Sequence, residues 1–225
     1  MIRLQVLLCL AALSGALRAD SLSAVLARMN KAAPNFHGIK ANVTLVTYTQ
    51  VIDDTSVETG TLEMQRLGPN NVRAVMELSS GGQSKRVLFF TGNKLRMYFA
   101  DSNTYQDYEL AKSSNLLNRY LLLGFGSSGD ELANNYEITY LGEEPVNQIK
   151  TSKLQLIPKD KKVLEHLTKV FIWIPEDGAN PVRQQFFEPS GNYRKATYSD
   201  LQVNPTFPKR QLDFNLPSGA KPIQQ

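Results

Sequence analysis

The chain has 225 residues, with 25 Lys and Arg against 21 Asp and Glu, two His and one Cys. A net charge of +4, with no run of cations gathered on one stripe, gives no footing for a nucleic-acid partner. A lone Cys excludes a disulfide framework.

The first nineteen residues, MIRLQVLLCLAALSGALRA, place one early Arg before an apolar core from Val6 to Leu13 and small residues after it. That is the layout of a secretory signal peptide, and it is too short to cross a bilayer as a helix. Cleavage is expected after Ala19, with Ala16 as the alternative. Cys9 lacks the preceding small residues that a lipoprotein signal requires. Residues 20–225 then form one expected domain without cysteine, its charge near +2 once Arg3 and Arg18 are gone. Thiol catalysis and thiolate metal sites fall away with Cys9. No apolar stretch of 18 residues remains, and an exported domain of this size can bury enough apolar surface to stand without disulfides.

In chain order, "DSLSAVLARMNKAA" puts Leu22, Val25, Leu26 and Met29 at helical spacing, with Asp20 or Ser21 as N-cap and Pro34 as the stop. The period then changes to two. Ile39, Ala41, Val43 and Leu45 alternate with Lys40, Asn42 and Thr44, which predicts a half-exposed strand turning at Asp53-Asp54. Strands follow at 56–67, 71–79, 84–91, 94–100 and 104–110, separated by Gly, Asn, Asp and Pro turns. A second series is expected at 136–141, 147–157, 168–175, 181–188 and 193–203, with a short last strand near Leu212–Leu216. Regularly spaced short strands of this kind predict one large antiparallel sheet curled into a barrel or half-barrel.

Between the series, "SSNLLNRYLLLGFG" (113–126) does not alternate and reads as a short helix apolar on most faces. Such a helix must be buried on most faces, either as a plug of the core or as a lid over an apolar cavity. Its end runs into "YLLLGFGSSGDEL", a literal G-x-G-x-x-G at Gly124, Gly126 and Gly129. A dinucleotide site needs those glycines to open a long crossover helix in a parallel βαβ unit. Only "DELANNY" precedes the next strand, so the match is read as the end of one helix and the start of another.

No catalytic pattern stands out. His37 and His166 lie 129 positions apart with no companion at ligand spacing, and no G-x-S-x-G is present. Ser218-Gly-Ala-Lys221 sits in a Pro-rich tail, and Glu143-Glu144 falls at a predicted turn. A non-enzymatic binding protein without cofactor or metal, taking an apolar ligand, is the simplest reading.

"VETGTLEMQRLGPNNVRAVMEL" and "VLFFTGNKLRMYFADSNTYQDYEL" resemble the LolA-like periplasmic carriers that sort outer-membrane lipoproteins, at Gly60, Leu62, Arg66, Pro69-Asn70, Arg73, Gly92, Leu95 and Tyr98. The opening helix with "FHGIKANV" and the closing "LDFNLPSGAKPI" are also similar. The resemblance implies a mainly β fold, a half-open antiparallel barrel of about eleven strands with helices across the concave face as lid or plug. It implies a carrier that shields the acyl chains of lipoproteins or related lipids on the way to the outer membrane. An inner-membrane release complex and an outer-membrane acceptor would be its partners, and a monomer is expected. The same architecture also serves ligand-sensing domains in envelope stress signalling, which is the alternative. Strand parity then places Val43, Leu45, Leu62, Met64, Leu95 and Met97 on the cavity wall, with Leu116, Leu117, Tyr120 and Leu121 facing them. By the resemblance Arg66 would latch the lid through a backbone hydrogen bond, although Leu67-Gly68 insert two residues before Pro69.

Overall fold

The computed structural model describes residues 21–68, 71–81, 84–92, 94–109, 123–208 and 212–223. Helix α1 (Leu22–Ala32) begins where the Ser21 hydroxyl accepts the Ala24 N–H, so Ser21 rather than Asp20 provides the cap. A 3₁₀ turn over Ala33–Asn35 carries Pro34 and redirects the chain into β1 (Gly38–Thr49). Five strands follow as a meander: β2 (Asp54–Gly68), β3 (Asn71–Ser80), β4 (Ser84–Thr91), β5 (Lys94–Phe99) and β6 (Thr104–Glu109). After α2 (Gly129–Asn135) a second meander runs through β7 (Tyr136–Glu143), β8 (Thr151–Pro158), a one-turn α3 (Lys161–Leu164), β9 (Lys169–Pro175), β10 (Arg183–Phe187) and β11 (Tyr193–Val203).

The two meanders meet where β1 pairs with β11, and the described strands form one twelve-stranded sheet. Its order is β12-β6-β5-β4-β3-β2-β1-β11-β10-β9-β8-β7, antiparallel except where the two-residue β12 (Lys221–Pro222) lies parallel to β6. The sheet is curled and open, a half-open barrel with helices against its inner face.

Two departures from the sequence reading have local causes. The strand expected from 147 starts at Thr151, because Asn147 and Gln148 take positive φ values of 48° and 66° in a tight turn bridging Val146 and Ile149. Leu212–Leu216 alternates like a strand but joins no ladder. Its side chains are used instead as a cover: Leu212 is buried, and the Phe214 ring packs 6.0 Å from Phe89 and 5.8 Å from Tyr98. The twelfth strand comes later, at 221–222.

The inner face carries two apolar clusters. In the first, Ile39, Ala41 and Val43 of β1 pack with Leu62 and Met64 of β2 and with Val72, Ala74 and Leu78 of β3. In the second, Val25 and Met29 of α1 press on Leu154 and Leu156 of β8 and on Val170, Ile172 and Ile174 of β9. Ile172 is fully buried at the middle of the second meander. Ile172→Ala is expected to cost about 2–5 kcal/mol, lowering the urea midpoint, whereas Val57→Ala on the exposed face should stay within about 0.5 kcal/mol.

Candidate functional site

Inner-face side chains repeat every second residue, and antiparallel pairing lines them up across strands. One such row is Leu62, Met76, Leu88 and Met97, set by the pairs Leu62↔Met76, Met76↔Leu88 and Leu88↔Met97. Another crosses the centre of the sheet through Leu45, Ala196 and Gln184. Between them opens a cavity of about 490 Å³, walled by Leu45, Leu62, Met76, Leu167, Phe186 and Ala196. Gln184 and Tyr198 complete it, and His166, Glu188 and Arg194 stand at its polar side. The size falls within the ~300–1,000 Å³ of small-molecule sites, and the wall is apolar with few polar groups, as such sites are.

Of the residues placed on a cavity wall by strand parity, Leu45 and Leu62 line this space. Val43 and Met64 lie in the first apolar cluster, and Leu95 packs against that cluster. Met97 ends the Leu62 row. Leu116, Leu117, Tyr120 and Leu121 lie outside the described residues. The second meander's share (Leu167, Gln184, Phe186, Ala196 and Tyr198) is absent from the sequence reading. Its signal was the alternation of 183–187 and 193–199, but only the β1–β11 register shows that these faces meet Leu45.

Residues 123–126 cross the inner face beside this cavity. They are turns and not the helix end expected there, with Gly124 at φ +82° and Gly126 at φ +61°. Side chains from both meanders hold the backbone. Gln184 donates its amide to the Leu123 carbonyl and accepts the Tyr198 hydroxyl at 2.7 Å. Asn180 Oδ1 accepts the Gly126 N–H at 3.0 Å, and Arg66 Nη2 donates to the Gly126 carbonyl at 3.0 Å. Phe125 is fully buried, its ring edge-on to Tyr198 at 5.1 Å. Burial pushes the Tyr198 phenol well above its ordinary range, so it stays a neutral donor.

Arg66 reaches this point because a bulge between Arg66 and Gly68 absorbs Leu67, which leaves Arg66 opposite the buried Val72. The inserted residues therefore do not move Arg66 off the inner face. Its guanidinium lies 5.0 Å over the Phe36 ring, and its Nε is buried without a partner among the described residues. That burial lowers the guanidinium pKa, with the Glu131 carboxylate opposing the shift.

The glycine motif has a packing explanation. A Cβ on Gly126 would come within 2.2 Å of the Phe36 ring, and one on Gly129 within 2.5 Å of the Leu26 carbonyl oxygen. The glycines let this crossing lie flat against Phe36 and α1. Helix α2, opened by Gly129, has seven residues and is capped by the Ser128 hydroxyl. Among the described residues, no three His, Cys, Asp or Glu gather in a group able to hold a metal ion.

No family model matches the chain, and no curated protein does. Solved structures do. An uncharacterized conserved protein from Thermus thermophilus superposes with a TM-score of 0.52 at 13% identity, over 92% of this chain and 100% of that one. LprF from Mycobacterium bovis gives 0.49 at 16% identity, over 84% and 98%. A LolA superfamily protein from Nitrosomonas europaea gives 0.39 at 12% identity, over 87% and 99%. The chain shares its fold with the Thermus thermophilus protein. At these identities the likeness is one of fold, and the site has to speak through its own residues.

Two substitutions test the crossing. Gln184→Ala strands the Tyr198 hydroxyl and the Leu123 carbonyl inside the fold, and should cost about 1–3 kcal/mol in urea denaturation. Gly126→Ala adds a methyl group against Phe36 at a positive φ, and a clear fall in melting temperature is expected.

Proposed function

We propose that this protein is a carrier that shields the acyl chains of a lipoprotein, or of a related lipid, within its half-open barrel. The observation that carries the reading is the apolar inner-face cavity bounded by both meanders. An exposed acyl chain costs about 0.8 kcal/mol per CH₂, so a long chain in water is unfavourable by roughly 10 kcal/mol. A wall of Leu45, Leu62, Met76 and Phe186 offsets that cost without any covalent step. Release needs a boundary that yields. The hydrogen bonds that Arg66, Asn180 and Gln184 make with the backbone of 123–126 supply one, since the two neutral ones are worth only about 0.5–1.5 kcal/mol net and the charged one from Arg66 about 1.5–3 kcal/mol. Arg66 is the latch in this scheme.

Residues 1–19 direct the chain to the periplasm, and 20–225 form the carrier domain. Lipoprotein transfer toward the outer membrane, between an inner-membrane release complex and an outer-membrane acceptor, is the route the reading entails.

Native mass spectrometry of protein purified from an envelope fraction, followed by lipid extraction, tests the reading. A co-purifying acylated lipoprotein or lipid is expected, together with uptake of a fluorescent acyl-chain probe. Leu62→Glu should abolish uptake while Val57→Glu leaves it intact. Arg66→Ala should shorten probe residence several-fold. An empty protein that takes up no probe would overturn the carrier reading.

A further inference from the structure

We infer that the tip of the β1–β2 hairpin is a bilayer-contact element set beside the cavity. Val51 and Ile52 are 88% and 67% exposed, well above every other large apolar side chain among the described residues, of which Val57 and Leu67 come next at 48%. A short 3₁₀ turn over Gln50–Ile52 presents them side by side.

The tip is braced. The Gln50 N–H donates to Asn192 Oδ1 at 2.9 Å, and the Tyr48 hydroxyl donates to Asp53 Oδ1 at 2.9 Å. Asp53 closes the turn at φ +46°. A hydrophobic tip that is held out by such bonds does not fold back onto its own sheet.

Behind the aliphatic pair stands an aromatic row. Tyr48 stacks on Tyr193 at 5.1 Å, and Tyr193 lies 5.9 Å from Phe187, over which sits Lys169 Nζ at 4.9 Å. Register pairing puts these rings and the Lys169 cation side by side at one level behind the aliphatic tip, and aromatic rings beside a cation are the side chains that favour the headgroup level next to inserted hydrocarbon. The charges about the tip hold no excess of cations: Asp53, Asp54 and Glu188 stand against Arg194 and Lys195, and Lys169 is three strands away. A neutral, zwitterionic surface suits that balance better than an anionic one. Two side chains fall far short of the ~1,000 Å² that a specific protein interface requires, so a lipid surface is the occupant that fits.

The placement adds a role. Thr47, at the turn end of β1, pairs with Arg194, and Arg194 and Glu188 also stand at the cavity. A tip seated in a bilayer would bring that side of the cavity to the lipid surface, so an amphiphile could pass without crossing bulk water. The membrane contact itself does not rest on the carrier reading, because it is measured without ligand.

The experiment is flotation of the ligand-free protein with phosphatidylcholine vesicles, at low and high salt. Wild type is expected to float at both, and V51S/I52S to lose at least about tenfold in partitioning. V51L/I52L should retain binding. Circular dichroism melting and acyl-probe uptake should be unchanged in both variants, which separates failure of the tip from failure of the carrier. Wild type that stays with the unbound fraction would overturn the inference. So would binding that demands anionic lipid and disappears in salt, or a self-association in sedimentation that V51S/I52S abolishes.

Discussion

Pairing between β1 and β11 joins two meanders that otherwise lie on opposite sides of the sheet. Val43 faces Tyr198 and Leu45 faces Ala196 across that seam, with Leu62 and Gln184 one strand farther out on either side. The cavity exists because this seam places the inner faces of both halves against one space. The crossing at 123–126 depends on it too, since Arg66 comes from the first half while Asn180 and Gln184 come from the second. Without the seam each half would be an open sheet with one apolar face in water.

A division of chemistry follows. The wall of the cavity is hydrocarbon, contributed mainly by β1, β2, β3, β10 and β11, and it is indifferent to the identity of a chain laid against it. Directional contacts gather at the backbone of the crossing and at the polar side, where Arg194 pairs with Glu188. Gln184 shows the distinction best: it lines the cavity, yet its amide is satisfied on both sides, by the Leu123 carbonyl and by the Tyr198 hydroxyl. A buried amide with both ends paired carries little cost in an apolar wall, and it ties the wall to the segment that crosses it.

How much of this was legible in the sequence varied with the range of the interaction. Strands β1 to β6 and β7 to β11 were readable because alternation and turn residues are local signals, and the helix at 22–32 because its apolar spacing and Ser cap are local too. Leu212–Leu216 misled because alternation reports one buried face and not a hydrogen-bonded ladder. Leu212 and Phe214 bury that face on the outside of the sheet without pairing. The halves of the cavity contributed by Phe186, Ala196 and Tyr198 were invisible, because no local pattern encodes a register between positions 45 and 196. The glycine triplet could be rejected as a nucleotide site from its surroundings, but its actual purpose needed Phe36 and Leu26 in place.

The seam has a kinetic side. Leu45 and Ala196 are 151 positions apart, so closing it costs more chain entropy than any hairpin of either meander, by about 0.6 kcal/mol for each doubling of loop length. The meanders are built from neighbours in sequence and can zip from their turns, whereas the seam must wait until the end of the chain has arrived. During that interval Ile39, Val43, Leu62 and Met64 form a bare apolar ribbon along an unpaired β1 edge, the combination most prone to sticking to another copy. A chain of this design therefore has its most vulnerable moment just before completion, and substitutions that slow β11 would act on yield long before they act on the finished molecule.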